Sequence, residues 1–294
     1  MLRGKKMSQS LNSVDAKKKL FSIKRLPASP RIVQEVIDLW KDPNTSMKQY
    51  EQTIGKDPGL TAEVLKVVNS PYYGLKNRVS NLRMALSMLG LREAYRIVAN
   101  RGFYAVFKSV FKNAKFDINL VWQHSQTTAN VAFALAEKFL PNQSSDAYVA
   151  GLLHDVGKLC MAQFFPEEWE ELMAGYVWQK DEGLDMEEKF FGITHAELGA
   201  VLMVRWNIPK EIVLPVRYHH DPYSATDMRD LVNIIYYAEK ISTHMMTEVN
   251  RSQINEYFVE NSTWFRMRED FPEMNLLENE ALFEELQKSI SQEM

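Results

Sequence analysis

The sequence lacks most of the features that mark a compartment or a partner. A single cysteine, Cys160, among 294 residues cannot close an internal disulfide. That fits a reducing cytosol and excludes a disulfide-stapled scaffold. No apolar run approaches the roughly 18–20 residues of a membrane span. The N-terminus is basic but lacks an apolar signal core after its charges. The formal net charge is −3, from 35 basic and 38 acidic residues, so there is no global electrostatic case for nucleic acid. Alternating strand patterns, internal repeats and low-complexity segments are also missing. What remains is 46% hydrophobic and 25% charged, an ordinary globular composition. The length suits one large domain or two small ones with a real core. The expectation is a soluble, cytoplasmic protein.

Charge is uneven along the chain. Residues 1–25 hold eight basic groups against Asp15 alone, a net of +7, whereas residues 251–294 net −6. These read as solvated termini, or as a basic arm for an acidic partner or membrane surface. Leu276, Leu277, Ala281, Leu282, Leu286 and Ile290 recur at helical spacing in the acidic segment.

Between these ends the periodicity is helical. Residues 30–40 carry the stripe Ile32, Val33, Val36, Ile37 and Trp40. Asp57-Pro58 combines an N-cap carboxylate with a proline in the first turn, and opens a helix. Asn69-Ser-Pro-Tyr-Tyr-Gly74 is a loop whose tyrosines either anchor a partner or plug a junction between helices. A short helix ends at Gly90, and 91–111 continues helically. Further helices are expected over 119–139, 145–160, from Thr194 to about Trp206, from Pro209 to His219-His220, and over 227–246. Thr194-His-Ala-Glu197 is a capping-box pattern. The expected fold class is all-α.

The histidines carry the chemistry. There are six: His124, His154, His195, His219, His220 and His244. His154 and Lys158 share a helix face, and Asp155 lies between them. This group follows the apolar run Tyr148-Val-Ala-Gly-Leu-Leu153. A buried charge must be paired or ligate a metal. Imidazole with a bridging carboxylate is the ligand set of iron, manganese, zinc or nickel. Two such ions about 3.5–4 Å apart can activate a water and clamp a phosphoryl group. Lys158 would then neutralise phosphate charge.

The order His124, His154-Asp155 and a later carboxylate resembles the HD superfamily of metal-dependent phosphohydrolases. Gly151-Leu-Leu-His-Asp-Val-Gly-Lys158, Thr194-His-Ala-Glu-Leu-Gly199 and Tyr218-His-His220 are similar to segments of HD-GYP phosphodiesterases. Leu26-Pro-Ala-Ser-Pro30, Asp57-Pro-Gly-Leu60, Val67-Val-Asn-Ser-Pro-Tyr-Tyr-Gly74 and Ala85-Leu-Ser-Met-Leu-Gly-Leu91 resemble the HDOD family, the HD-related output domain. The resemblance covers roughly residues 22–245. It implies a basic arm at 1–21, an N-terminal helical lobe at 22–115, an HD-like helical lobe at 116–245 and an acidic helical extension at 246–294. It also implies a bacterial signalling module with the metal ligands His124, His154, Asp155, His195, His219, His220 and Glu239. One or two divalent ions are expected, iron or manganese ahead of zinc or nickel. Two departures separate this chain from HD-GYP enzymes. The histidine pair runs into Asp221-Pro222-Tyr223-Ser224 rather than the Gly-Tyr-Pro signature, and Leu120 stands where that family has a glutamate. Glu239 also replaces the family's final aspartate.

Two functions follow as expectations. The first is a regulatory module that relays a signal by binding signalling proteins or a small nucleotide-type ligand. The second is a metal-dependent phosphohydrolase acting on a nucleotide, cyclic dinucleotide or other phosphoester. A bland alternative for the site is a hydrogen-bonded pair, His154 and Asp155, tying two helices together. Lys158 would then pair with an acid, His220 and His244 would be peripheral, and Cys160 would be core packing.

Overall fold

The computed structural model describes residues 31–42, 44–110, 118–175, 182–246, 266 and 269–272. Every regular element among them is helical, as expected for an all-α chain. Helix α1 (Arg31–Lys41) buries Val36 and Ile37, and α2 (Met47–Ile54) buries Tyr50 and Ile54. Helix α3 (Pro58–Val68) opens at the predicted signal. There the Asp57 carboxylate accepts the backbone N–H groups of Gly59 and Leu60 at 2.8 and 3.0 Å, satisfying donors that a helix start leaves unpaired. The Asn69 amide then ties the following loop. It donates to the Leu65 and Val79 carbonyls and accepts the Val79 N–H.

Helix α4 (Leu82–Val110) breaks at Gly90, whose φ of 79° only glycine adopts freely. It packs on α1, α2 and α3, and Tyr95 stacks on Trp40 with ring centroids 4.9 Å apart. The tyrosines of the 69–74 loop do not plug a junction: Tyr72 is exposed and Tyr73 only partly covered. Of the two readings of this loop, the plug is therefore the one that fails.

The remaining helices are α5 (Ile118–Phe139), α6 (Ser144–Leu153), α7 (Val156–Phe164), α8 (Pro166–Gly175), α9 (Glu182–Phe191), α10 (His195–Arg205), α11 (Lys210–Tyr218) and α12 (Arg229–Met246). Helix α5 packs against both α6 and α12, and α10 packs against both α7 and α11. One continuous apolar core runs from Val36 and Ile37 to Ile241 and Phe271. Phe271 stacks on Phe139, and the Tyr237 hydroxyl donates to Asp270. The basic arm at 1–21 and the apolar positions from Leu276 to Ile290 lie outside the described residues.

The single helix expected over 145–160 is two helices, α6 and α7, interrupted at His154-Asp155. The His154 Nδ1–H donates to the Gly151 carbonyl at 2.7 Å. That is the acceptor a continuous helix would offer to the N–H of residue 155. A side chain thus competes with the helical ladder and turns the chain at the doublet.

Two glycines set the distances between these helices. A β-carbon on Gly151 would sit 2.8 Å from the Cα of Ala129, so glycine lets α6 lie against α5. A β-carbon on Gly157 would sit 1.9 Å from the carbonyl oxygen of His195, so glycine lets α7 meet the start of α10. At both places the obstacle is backbone, which cannot swing aside.

Gly157→Ala is therefore expected to lower stability by about 3 kcal/mol or more, read as a fall in denaturant midpoint. Gly59→Ala, whose β-carbon would meet only the Asp57 carboxylate at 3.1 Å, is the milder control. A second expectation concerns Asp146 in the first turn of α6. Burial and the nearby Glu211 raise its carboxyl to about 6, against a hydrogen bond from the Trp40 indole. The folded state thus holds this proton more tightly than the unfolded chain does. The associated stability is present below about pH 4 and lost as pH rises through about 6. Asp146→Asn is expected to gain about 2 kcal/mol at pH 8 and little at pH 4. Urea unfolding at the two pH values checks the sign.

Candidate metal centre

Four helix ends and two helix faces converge on one buried cluster. His154 and His219 occupy equivalent places, each immediately after the last residue of its helix, α6 or α11. Each ring turns back on its own helix. His154 Nδ1 bonds the Gly151 carbonyl at 2.7 Å, and His219 Nδ1 bonds the Val216 carbonyl at 2.6 Å. A carbonyl only accepts, so Nδ1 carries the proton in both rings. Each Nε2 is then a bare lone pair directed away from its helix, as in metal-ligating histidines.

His195 is the first residue of α10, placed by the predicted capping box between Thr194 and Glu197. Its Nδ1 lies 2.9 and 2.8 Å from the two oxygens of Glu187, and its backbone N–H donates to Glu187 at 2.7 Å. A carboxylate on Nδ1 again leaves Nε2 as the free acceptor. That atom sits 3.3 Å from His219 Nε2 and 3.3 Å from an Asp155 oxygen. His154 Nε2 is 3.4 Å from the other Asp155 oxygen and 3.3 Å from His124 Nε2. His220 Nε2 comes within 3.1 Å of His195 Nε2. Acceptors therefore face acceptors around Asp155, and only a shared proton or a cation makes that arrangement favourable.

Glu239, on α12, completes the cluster. Its Oε2 and the His220 Nδ1 have no hydrogen-bond partner among the described residues, although they lie 3.5 Å apart. Three donor sets have ligand atoms within 4.8 Å of one another: His195, His219 and His220; His124, His154 and Glu239; and His154, Asp155 and His219. The third shares His219 with the first and His154 with the second, so the three form one connected cluster. Nitrogen and carboxylate oxygen donors in these numbers suit a divalent metal, and the unpartnered Glu239 oxygen is the atom a metal would use. All seven residues expected from the sequence are in the cluster. The side chain of His244 lies outside the described residues.

Burial governs the charge states. His154, His195 and His219 are fully buried, Asp155 nearly so, and the edges of His124 and His220 reach the surface. Burial and the adjacent His154 push His124 down to about 3. Burial and neighbouring imidazoles also hold His219 and His220 well below the usual histidine range. Burial alone would raise Asp155, but His154, Lys158 and His195 outweigh it and hold the carboxyl well below its usual range. Burial raises Glu239. Neutral His124, His219 and His220 beside an ionised Asp155 are protonation states that metal ligation needs.

Lys158 lies on α7 one turn after the doublet and is only 5% exposed. Its ammonium is 2.8 and 2.9 Å from the two Asp155 oxygens. Glu187 is the residue that the sequence reading missed. It stands on α9, fully buried, while its neighbour Glu188 is exposed. Its signal in the sequence is faint: it lies one turn before Phe191, on the buried face of a helix.

Comparison with known proteins gives a consistent picture. The HDOD domain family profile matches residues 26–222. An HDOD domain protein of unknown function from Geobacter sulfurreducens shares the fold, with TM-score 0.76, 23% identity, and coverage of 96% of this chain and 98% of the other. A candidate phosphohydrolase from Shewanella amazonensis SB2B does so with TM-score 0.71, 22% identity and 97% coverage of both chains. An uncharacterised protein from Treponema pallidum (strain Nichols) is 25% identical over 232 residues, 78% of this chain and 44% of the relative. The chain thus spans less than half the length of that curated relative.

Lys158→Met tests the charge balance directly. Removing one partner of a buried pair leaves the other charge uncompensated. The variant is expected to lose about 3–5 kcal/mol in chelator and to recover much of that deficit on addition of Mn²⁺. Urea unfolding with EDTA and with Mn²⁺ reads both.

Proposed function

This chain belongs to the HDOD family, and from that premise we propose that it is a signalling output protein built around a buried divalent-metal centre. The centre is held by His124, His154, Asp155, His195, His219, His220 and Glu239, with iron or manganese as the first choices. One observation carries the reading: the His195 and His219 Nε2 atoms meet at 3.3 Å beside the Asp155 carboxylate, with both Nδ1 atoms already engaged. A hydrogen-bonded helix tie accounts for that contact only if a further proton is placed between the two rings, whereas a cation satisfies all the lone pairs at once. A bound divalent ion supplies positive charge at that point and Lewis acidity toward a ligand oxygen.

The chain's own residues favour sensing or structural binding over turnover. The Gly151 and Val216 carbonyls fix the His154 and His219 rings. Lys158 is spent on Asp155 and is buried, so it is not displayed for a phosphate. Among the described residues, the cluster reaches the surface mainly at the edges of His124 and His220, whose side chains are 16% and 13% exposed, and less at Glu239. A phosphoester needs a cleft that places its phosphorus against the donors. The relayed signal would then be read by a protein partner or a small nucleotide-type ligand. No described helix is long and apolar enough to cross a membrane.

A second reading, a metal-dependent phosphohydrolase, draws on the complete donor set and the candidate phosphohydrolase among the similar structures. Metal analysis of protein purified without chelator, beside a turnover screen with nucleotides and cyclic dinucleotides, separates the two. The expected result is one or two equivalents of metal, lost in His154→Ala, with no turnover. Turnover abolished in both His154→Ala and Asp155→Ala would replace the sensing reading with the enzymatic one. Absence of metal in the native protein would overturn both.

A further inference from the structure

We infer that Glu187 is a positioning residue that selects the His195 tautomer and so keeps His195 Nε2 available as a ligand. The inference rests on the metal-centre reading and deepens it. Glu187 has no exposed surface, and burying a carboxylate is costly unless every oxygen is engaged. Both of its oxygens are spent on His195. One accepts the backbone N–H at 2.7 Å and lies 2.8 Å from Nδ1; the other lies 2.9 Å from Nδ1.

Helix capping alone explains only part of this geometry. An acceptor at the first turn of α10 benefits from the helix N-terminus. The capping box of Thr194 and Glu197 already serves that end, however, and a cap does not need the imidazole. The contacts to Nδ1 have a separate consequence. His154 and His219 use backbone carbonyls to place their protons on Nδ1. His195 begins its helix, so no preceding turn offers it a carbonyl at that spacing. Glu187 takes the carbonyl's place. All three rings then present Nε2 to Asp155 by the same rule, although only two of them end helices.

Glu187→Met removes both acceptors from Nδ1, so the proton moves to Nε2, where an Asp155 oxygen lies 3.3 Å away, and blocks the ligand lone pair. Glu187→Gln is the conservative rescue, because one carboxamide oxygen in the place of the shared carboxylate oxygen serves both the backbone N–H and Nδ1. The test uses the full chain. Long-range ¹H–¹⁵N correlation of the imidazoles, with His195 assigned by its loss in His195→Gln, reads the tautomer without metal. Mn²⁺ titration calorimetry reads affinity. Native protein is expected to hold the Nδ1–H form. Glu187→Met is expected to shift toward Nε2–H and to weaken Mn²⁺ by about 10–100-fold, while Glu187→Gln keeps the Nδ1–H form and the exposed control Glu188→Gln changes neither.

An unchanged tautomer in folded Glu187→Met overturns the inference. So does a shifted tautomer with unchanged Mn²⁺ affinity. If the native protein binds no Mn²⁺ and no Co²⁺, the metal-centre reading fails, and the tautomer measurement still decides whether Glu187 directs His195.

Discussion

The Asp155 carboxylate, sealed from water and surrounded by imidazole nitrogens, is the constraint on which the structure turns. An isolated buried charge is among the most costly things a fold can contain. Lys158 compensates it from one turn away, and His154, His195 and His219 direct lone pairs at the same volume. Everything nearby is arranged to bring those groups together. Gly151 lets α6 close on α5, and Gly157 lets α7 touch the first residue of α10. A methyl group at either place would push apart the very elements that deliver the donors.

The same economy of means recurs at the helix ends. His154 and His219 each interrupt their helix by taking a carbonyl from the preceding turn. One hydrogen bond thereby turns the chain, satisfies a terminal carbonyl and fixes a tautomer. Local structure and ligand chemistry are therefore not independent. The helix break between α6 and α7 is the form that an Nδ1-protonated ring takes at that position.

Much of the fold and cluster was legible in the sequence because it is written in short, local patterns. Asp57-Pro58, Gly90 and the Thr194–Glu197 box act within one helical turn, and the structure places helix boundaries at each. The histidines could be ordered because doublets and spacings survive without knowledge of packing. The break at His154-Asp155 was not legible, since periodicity continues through it and only a side-chain bond interrupts the ladder. The choice between anchor and plug at Tyr72 was not legible for a related reason: an aromatic in a loop carries no local mark of exposure. Glu187 was hidden differently. It sits beside Glu188 in a mixed segment, and which acid faces inward depends on where α9 packs, a tertiary fact. Glu239 was legible by position, but whether its longer side chain reaches the cluster was not. In the structure it shares a donor set with His124 and His154.

A closed, charge-balanced centre of this kind couples ion binding to the folded state. A ligand that binds only the native chain stabilises it in proportion to the logarithm of its occupancy, by about 2.7 kcal/mol at a hundredfold excess over Kd. Here the donors come from α5, α6, α10, α11 and α12 and from the junction with α7. An ion would therefore tighten the packing of most of the second half of the described chain at once. Glu239 extends that coupling outward, because Tyr237, two residues before it on α12, is tied to Asp270 and packs near Phe271. A change in the occupancy of the centre would be felt at that surface through one helix. Helix α12 thus links the cluster, through Glu239, to the Asp270 and Phe271 contacts of Tyr237.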